Sequence, residues 1–177
     1  MSEAPERIRA ILAALDIPED LIRARSLPVC AEAEALVVAE IGDDGREYRL
    51  TPAAAAAWRG MRQAAAADSV VIKIASAFRS VDRQVEILRE KLAQGASITE
   101  ILSASAPPGY SEHHTGRAVD ITTEGVPPFE LEFENTAAFR WLSTNAARFG
   151  FVLSFPHGNR HGYQYEPWHW YYQAETA

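Results

Sequence analysis

Residues 111–120 read SEHHTGRAVD, and they put two kinds of metal-ligating side chain on either side of a predicted turn. His113 lies in a predicted loop, and Asp120 lies on a short apolar run that favours a β-strand. Gly116 stands between them and tolerates the positive φ angle of a chain reversal, so that His113 and Asp120 can converge. Imidazole and carboxylate groups are both accepted as ligands by zinc. The stretch therefore predicts part of a metal site beside a strand.

A second short stretch, residues 166–169, reads EPWH and joins a carboxylate to a histidine. Pro167 disfavours ordinary strand pairing, so Glu166 is expected to turn toward the same centre as His169. A base beside a metal ligand is what metal-assisted hydrolysis requires. The chain has a single cysteine, Cys30, which can form neither an internal disulfide nor a thiolate zinc site. Any metal must therefore be held by histidine, aspartate or glutamate.

Composition and charge limit the classes of protein to which the chain can belong. It has 177 residues, of which 47% are hydrophobic and 23% are charged, as expected of one globular domain. It carries 17 Lys and Arg against 24 Asp and Glu, a net charge of -7 without a basic run, so no nucleic-acid partner is expected. No apolar stretch reaches the roughly 18 residues of a membrane span.

The first residues lack the basic start, apolar centre and cleavage site of a secretory signal. We therefore expect a cytoplasmic location for the sequence as it stands, or a location in the cell envelope if a leader has been removed. The sequence leaves the oligomeric state open.

The pattern of elements mixes helices and strands without a regular βαβ alternation. It favours a single α+β domain in which helices flank a mostly antiparallel sheet. Residues 1–69 are predicted to form an N-terminal extension of unknown role, with an amphipathic helix, a hairpin turning at residues 42–45 and an alanine-rich helix starting at Pro52. Residues 70–177 carry both metal-ligand stretches. There we predict strands at 70–75, 117–121 and 151–153 and helices at 80–95 and 136–149.

The pattern S-x-H-x-x-G-x-A-x-D at residues 111–120, followed by EPWH, resembles the signature of the VanY-type zinc D-alanyl-D-alanine carboxypeptidases. These enzymes have a hedgehog/DD-peptidase fold, which we expect here for residues 70–177 as the catalytic domain. Two further segments are similar to the family, SAFRS at residues 76–80 with Gln84 and PGYS at residues 108–111. The resemblance covers about residues 70–172 and rests on several motifs in the same order.

The resemblance implies a role for each matching residue. His113, Asp120 and His169 would bind one zinc ion. Glu166 would take a proton from the attacking water and return it to the leaving amine. Arg79 would stabilise the developing oxyanion or hold the terminal carboxylate of the substrate, and a guanidinium suits either task because its donors form a rigid fork.

The resemblance also implies the substrate and its contacts. The enzyme would remove the terminal D-alanine, D,D- or L,D-linked, from a peptidoglycan stem peptide or precursor. Gln84 and Ser111 would contact the substrate, and Tyr163 and Trp168 would form walls of its pocket.

Two alternatives remain at this stage. A D-Ala-D-Ala dipeptidase or a cell-wall endopeptidase would use the same ligands and the same chemistry. A non-enzymatic zinc module of the hedgehog kind would need a fourth protein ligand, for which His114 or His161 are candidates, but Glu166 favours an enzyme. Taken singly, His114, His157 and His161 are each predicted to be structural.

Overall fold

The computed structural model describes residues 4–173, and within them the chain is an α+β domain, as predicted. The helices are α1 (Glu6–Ala14), α2 (Glu19–Ala24), α3 (Pro52–Ala67), α4 (Val81–Ala93), α5 (Ile98–Ala104) and α6 (Ala137–Asn145). The strands are β1 (Val37–Ile41), β2 (Glu47–Leu50), β3 (Lys73–Ser76), β4 (Ala118–Thr122), β5 (Phe151–Leu153) and β6 (His169–Tyr172). Short 3-10 helices occur at Glu112–Thr115, Leu131–Asn135 and Ala146–Phe149.

The main sheet has four antiparallel strands in the order β3-β4-β6-β5. Strand β4 lies inside the sheet, which explains why Ala118, Val119 and Ile121 are all buried. Its register with β6 pairs Asp120 with His169. The two predicted ligands from distant parts of the sequence are therefore direct cross-strand neighbours.

One large hydrophobic core joins this sheet to the hairpin β1–β2 and to helices α3 and α6. Trp58 on α3, Ile121 on β4 and Leu142 on α6 are fully buried in it. The hairpin and α3 of the predicted extension thus share a core with the sheet, while a separate role for residues 1–69 stays a prediction. No helix of residues 4–173 is long and apolar enough to cross a membrane.

A buried carboxylate, Glu40, ties the hairpin to the sheet. Its oxygens accept hydrogen bonds from the indole of Trp58 and the backbone N–H of Ile74, each at 3.0 Å. Arg62 completes the set with an ion pair at 3.0 Å. Because both oxygens of the buried carboxylate have partners, its hydrogen bonds offset part of the desolvation penalty and link β1, α3 and β3.

A second core packs α1 and α2 against α4 and α5, and it includes Leu12, Ile22, Leu88, Leu102 and Tyr110. The chain that follows α2 then runs beside the motif loop. Backbone N–H groups of Cys30, Ala33 and Thr51 donate to the carbonyls of Gly109, His114 and Gly116, each at 2.8 Å. The N-terminal residues therefore brace the loop that carries His113.

Gly116 meets two requirements of that loop. Its φ angle is +63°, in the left-handed region, and an added Cβ would lie 2.8 Å from the Cδ2 atom of Leu36. A side chain there would be strained both by its backbone conformation and by the bracing segment.

Several element boundaries differ from the sequence predictions. The N-terminal amphipathic helix is two helices, because Asp16 adopts a positive φ of 52° and the chain starts a new helix at Glu19, after Pro18. Strand β3 starts at Lys73, where its pairing with β4 begins. The helix predicted at 136–149 becomes 3-10 after Asn145, and α5 was not predicted. The last four residues of the predicted catalytic domain lie outside the described residues.

Candidate metal centre and active site

His113, Asp120 and His169 converge at one point, as predicted. Their ligand atoms all lie within 4.8 Å of one another. The Nε2 atom of His113 is 3.1 Å from Oδ2 of Asp120, and Nδ1 of His169 is 2.9 Å from Oδ1 of the same carboxylate. All three residues are buried, with exposures of 4%, 4% and 3%. This is the donor set and spacing of a three-ligand zinc site.

A backbone carbonyl just after strand β3 holds the imidazole of His113 in place. Its Nδ1–H donates to the carbonyl oxygen of Ala77 at 2.7 Å. This bond fixes the tautomer and turns Nε2 toward Asp120. The ring is thereby oriented for a metal before any metal binds.

Two of the three groups, His113 and Asp120, are in the protonation state that a metal ligand needs, whereas His169 is not. Burial lowers the pKa of His113, so its imidazole stays neutral. Burial acts in the opposite sense on Asp120, but the charges and hydrogen bonds of His113 and His169 outweigh it and hold its pKa far below the usual range. Burial also lowers the pKa of His169, yet hydrogen bonds to Asp120 and Glu112 raise it to about 10. Metal binding must therefore displace a proton from His169.

Glu112 is a residue of this site that the sequence reasoning missed. Its Oε2 atom accepts a hydrogen bond from Nε2 of His169 at 2.9 Å, on the side of the ring opposite Asp120. The ring also stacks on Phe155, with centroids 4.6 Å apart. His169 is thus fixed by two carboxylates and an aromatic face. The sequence shows an acidic residue directly before His113, but spacing alone could not connect it to His169, which lies 57 residues later.

Glu166 lies next to the candidate metal ligands, where the sequence predicts it. Its Oε2 atom is 3.9 Å from Nδ1 of His169, and its side chain lines the central cavity. Burial is the largest cause that raises its pKa to about 7, with Asp120 adding to the effect and His169 opposing it. A carboxyl group with a pKa near neutrality can both accept and donate a proton at physiological pH.

Arg79 and Gln84 form a unit at the start of α4. An Nη1–H of Arg79 donates to Oε1 of Gln84 at 2.9 Å, and Nη2 donates to the hydroxyl of Ser76 at 3.2 Å. The amide of Gln84 donates in turn to the carbonyl of Ala106 at 2.7 Å. Arg79 lines the cavity, whereas Gln84 is fully buried and lies behind it. Gln84 therefore holds the arginine in place, and its predicted contact with substrate is not seen among the cavity-lining residues.

The cavity has a volume of about 460 Å³, and its walls include Ser111, Tyr163 and Trp168 as well as the ligands. The hydroxyl of Tyr163 is buried and finds no hydrogen-bond partner among the described residues. Its ring is held between Phe155, at 4.8 Å, and the guanidinium of Arg25, at 4.1 Å. The three predicted wall and contact residues thus surround a space large enough for a short peptide end.

The remaining histidines have structural contacts. His114 is fully buried, where its Nδ1–H donates to the carbonyl of Arg79 at 2.7 Å and its Nε2 accepts from Gly109. His161 contacts the carbonyl of Arg25, and the exposed His157 stacks on Tyr165. Within residues 4–173, the converging group contains neither His114 nor His161, so neither supplies the fourth ligand that a closed zinc site would have.

A cluster of two histidines and one aspartate, two of them on an antiparallel sheet and one in the loop before it, with a carboxyl group of raised pKa beside it in a cavity, is the arrangement of a zinc metallopeptidase. Comparison with known proteins gives the family. The chain belongs to the VanY D-alanyl-D-alanine carboxypeptidase family, whose sequence model matches residues 47–175.

Individual relatives agree with this assignment. A D-alanyl-D-alanine carboxypeptidase of Enterococcus faecalis (strain ATCC 700802 / V583) is 36% identical over 124 residues, which are 64% of this chain and 44% of the relative. The chain thus spans less than half the length of that relative.

Two solved structures are similar over most of the chain. The LD-carboxypeptidase LdcB has a TM-score of 0.73 at 29% identity, over 84% of this chain and 72% of LdcB. A vancomycin-resistance D,D-pentapeptidase VanY in complex with Zn(II) has a TM-score of 0.59 at 28% identity, over 81% of this chain and 86% of the other. Both similarities cover a larger share of the chain than residues 70–172, and the family model already begins at residue 47, at the start of β2.

The first prediction concerns the metal. We expect the purified protein to bind about one zinc ion per chain, and His113→Ala, Asp120→Ala and His169→Ala each to lose most of it, because each removes one of three ligands. Elemental analysis after dialysis measures the zinc content. His157→Ala is the matched control and should retain zinc. Full retention by all three ligand variants would contradict the site.

The second prediction concerns Glu112. We expect Glu112→Ala to weaken zinc binding by about 10-fold to 100-fold, because His169 loses the carboxylate that orients its ring. Competition with a fluorescent chelator at fixed pH measures the affinity. Glu112→Gln keeps an oxygen acceptor and should lose less. Unchanged affinity in the alanine variant would mean that Asp120 and Phe155 suffice to hold the ring.

Proposed function

We propose that this chain is a zinc-dependent carboxypeptidase that removes the terminal D-alanine from peptidoglycan stem peptides. The observation that carries the proposal is Glu166, a carboxyl group with a pKa of about 7, beside the His113–Asp120–His169 cluster in a cavity. A structural zinc site needs no such group. Family membership and the relatives' names support the substrate class.

The cluster supplies the metal chemistry, and Glu166 supplies the proton transfer. Zinc held by His113, Asp120 and His169 would act as a Lewis acid that lowers the pKa of water and polarises the scissile carbonyl. Glu166 accepts the proton of the attacking water at a carboxylate oxygen. It then delivers that proton to the leaving amine, which must be protonated to depart. A pKa near 7 suits a group that performs both transfers.

Arg79 supplies positive charge on the wall of the cavity. Burial lowers its pKa, while Asp120 and then Glu166 oppose that change, so the guanidinium lies within the electrostatic reach of both carboxylates. Its hydrogen bonds to Gln84 and Ser76 fix it before substrate arrives. A preorganised cation in this position stabilises negative charge on the carbonyl oxygen as the tetrahedral intermediate forms.

Product analysis of defined peptides tests the proposed function. We would incubate the zinc-loaded protein with a stem pentapeptide ending in D-Ala-D-Ala, with the tetrapeptide ending in L,D-linked D-Ala and with the tripeptide. Mass spectrometry should detect loss of one D-alanine from the pentapeptide or the tetrapeptide, and no product with Asp120→Ala. Since LdcB is described as an LD-carboxypeptidase, both linkages belong in the test.

The outcomes separate the alternatives. Release of intact D-Ala-D-Ala from the pentapeptide would indicate a dipeptidyl cleavage, and cleavage within a cross-linked peptide would indicate an endopeptidase. Absence of hydrolysis in all substrates, with zinc bound, would contradict the proposal.

The role of Glu166 gives a separate prediction. We expect Glu166→Gln to keep zinc and the fold while kcat falls by at least about 100-fold, because the amide can neither accept nor deliver the proton. Steady-state kinetics and elemental analysis of the same preparation measure the two effects. Glu130→Gln, an exposed substitution of the same type, is the control. Near-normal turnover of Glu166→Gln would reject it as the base.

A further inference from the structure

Lys91 on helix α4 is a partly buried cation in the wall of the central cavity, and none of the motifs includes it. Its ammonium group donates a hydrogen bond to the hydroxyl of Ser105 at 2.7 Å. Among residues 4–173, no carboxylate lies within ion-pair distance of Lys91. Lys73 differs in this respect, because it pairs with Asp43 at 2.8 Å and Glu124 at 3.3 Å. A cation in a cavity with only a hydroxyl partner is available to a ligand anion.

Helix α4 holds Lys91 and Arg79 apart, because Lys91 lies on the helix and Arg79 is hydrogen-bonded to Gln84 near one end of it. One face of α4 carries Gln84, then Ile87 three residues later and Lys91 seven residues later. Gln84 binds Arg79, whereas Ile87 and Lys91 line the cavity directly. Seven residues of helix span about 10 Å, so Arg79 and Lys91 are anchored at successive positions along the same wall.

The segment opposite α4 contacts the helix at both positions. The carbonyl of Ala106 accepts a hydrogen bond from the side-chain amide of Gln84. The hydroxyl of Ser105 accepts one from the ammonium group of Lys91. Ala104, Ser105 and Ala106 all line the cavity. The small side chains of this segment leave room beside the ammonium group for a substrate group.

Arg79 and Lys91 have different charged and polar groups around them. Burial lowers the pKa of both, the positive charge of Arg79 lowers that of Lys91 further, and Glu166 acts against the change in both. The metal ligand Asp120 also raises the pKa of Arg79, but it makes no contribution at Lys91. The hydrogen bonds agree, since Arg79 donates to Ser76, the cross-strand partner of Asp120, whereas Lys91 donates to Ser105, which lies outside the sheet. Both cations thus line the cavity with Glu166, and Arg79 is anchored beside the candidate metal ligands while Lys91 is anchored away from them.

The position of Lys91 can be matched to the C-terminal carboxylate of the substrate. Glu166 protonates the amine of the leaving residue, and in a C-terminal amino acid the carboxylate is attached to the carbon next to that amine. A cation beside Glu166 and away from the metal therefore faces the leaving residue rather than the scissile carbonyl. We propose that Lys91 binds the C-terminal carboxylate of the leaving amino acid, while Arg79 serves the carbonyl oxygen.

This inference rests on the proposed carboxypeptidase function and adds its specificity element. A charge-assisted contact to the free carboxylate favours cleavage at the end of a chain over cleavage within it. The hydroxyl of Ser105 keeps the ammonium group in the cavity when no substrate is bound.

The test compares a stem pentapeptide with a free C-terminal carboxylate to the same peptide amidated at its C-terminus. The wild-type protein should prefer the acid. Lys91→Met keeps the length of the side chain without its charge, and we expect it to reduce the acid-to-amide ratio of kcat/KM by about 10-fold to 100-fold, mainly through KM for the acid. Lys91→Arg should restore part of the ratio.

Two further variants serve as comparisons. Lys73→Met removes a lysine that is ion-paired elsewhere and should leave the ratio at the wild-type value. Arg79→Met should lower kcat on acid and amide alike, because the carbonyl is common to both peptides. Zinc content, measured for each variant, should stay at the wild-type level.

The possible failures are distinct. An unchanged ratio in Lys91→Met, or equal losses on acid and amide, would overturn the assignment of Lys91 and leave the carboxypeptidase function standing. Equal cleavage of acid and amide by the wild-type protein would overturn the carboxylate site while leaving a peptidase. Cleavage of neither peptide would overturn the proposed function and the inference together.

Discussion

The pairing of β4 with β6 is the constraint on which the site depends. Its register puts Asp120 directly opposite His169 in the middle of a four-stranded sheet. A slip of one residue would send one of these side chains to the other face and separate the ligand atoms. The apolar neighbours in the same strands, Val119 and Trp170, prevent such a slip because they are fixed in the core on the opposite face.

The different ionisation of the carboxyl groups in this buried site follows from the same geometry. Burial makes each ionised group unfavourable, but Asp120 remains ionised because two histidines bind it, whereas Glu166 has fewer partners and its pKa rises. Two carboxyl groups near the same histidine thus differ in protonation, which is the basis of the proposed roles of Asp120 as a ligand and Glu166 as a group that exchanges protons. Glu112 adds a third carboxylate behind His169, where it orients the ring.

The N-terminal part of the chain contributes through the motif loop. Residues 30–51 form backbone hydrogen bonds with Gly109, His114 and Gly116, and they exclude any side chain at Gly116. The loop also receives support from the other side, since His114 binds the carbonyl of Arg79. A histidine that looks like a ligand in the sequence is therefore a structural link between the motif loop and the start of α4.

The sequence by itself predicted the α+β class, the convergence of His113, Asp120 and His169, and the presence of Glu166 and Arg79 beside them, because these depend on residue types, spacings and family motifs that are visible along the chain. It did not determine the contacts of Glu112 and Lys91, nor the position of Gln84 behind Arg79. Those depend on which side chains meet across the fold: Glu112 contacts a histidine 57 residues later, and Lys91 reaches Ser105 from another element. Periodicity reports which face of an element is buried, whereas only the packing of elements decides which polar groups are brought within hydrogen-bond distance in the same cavity.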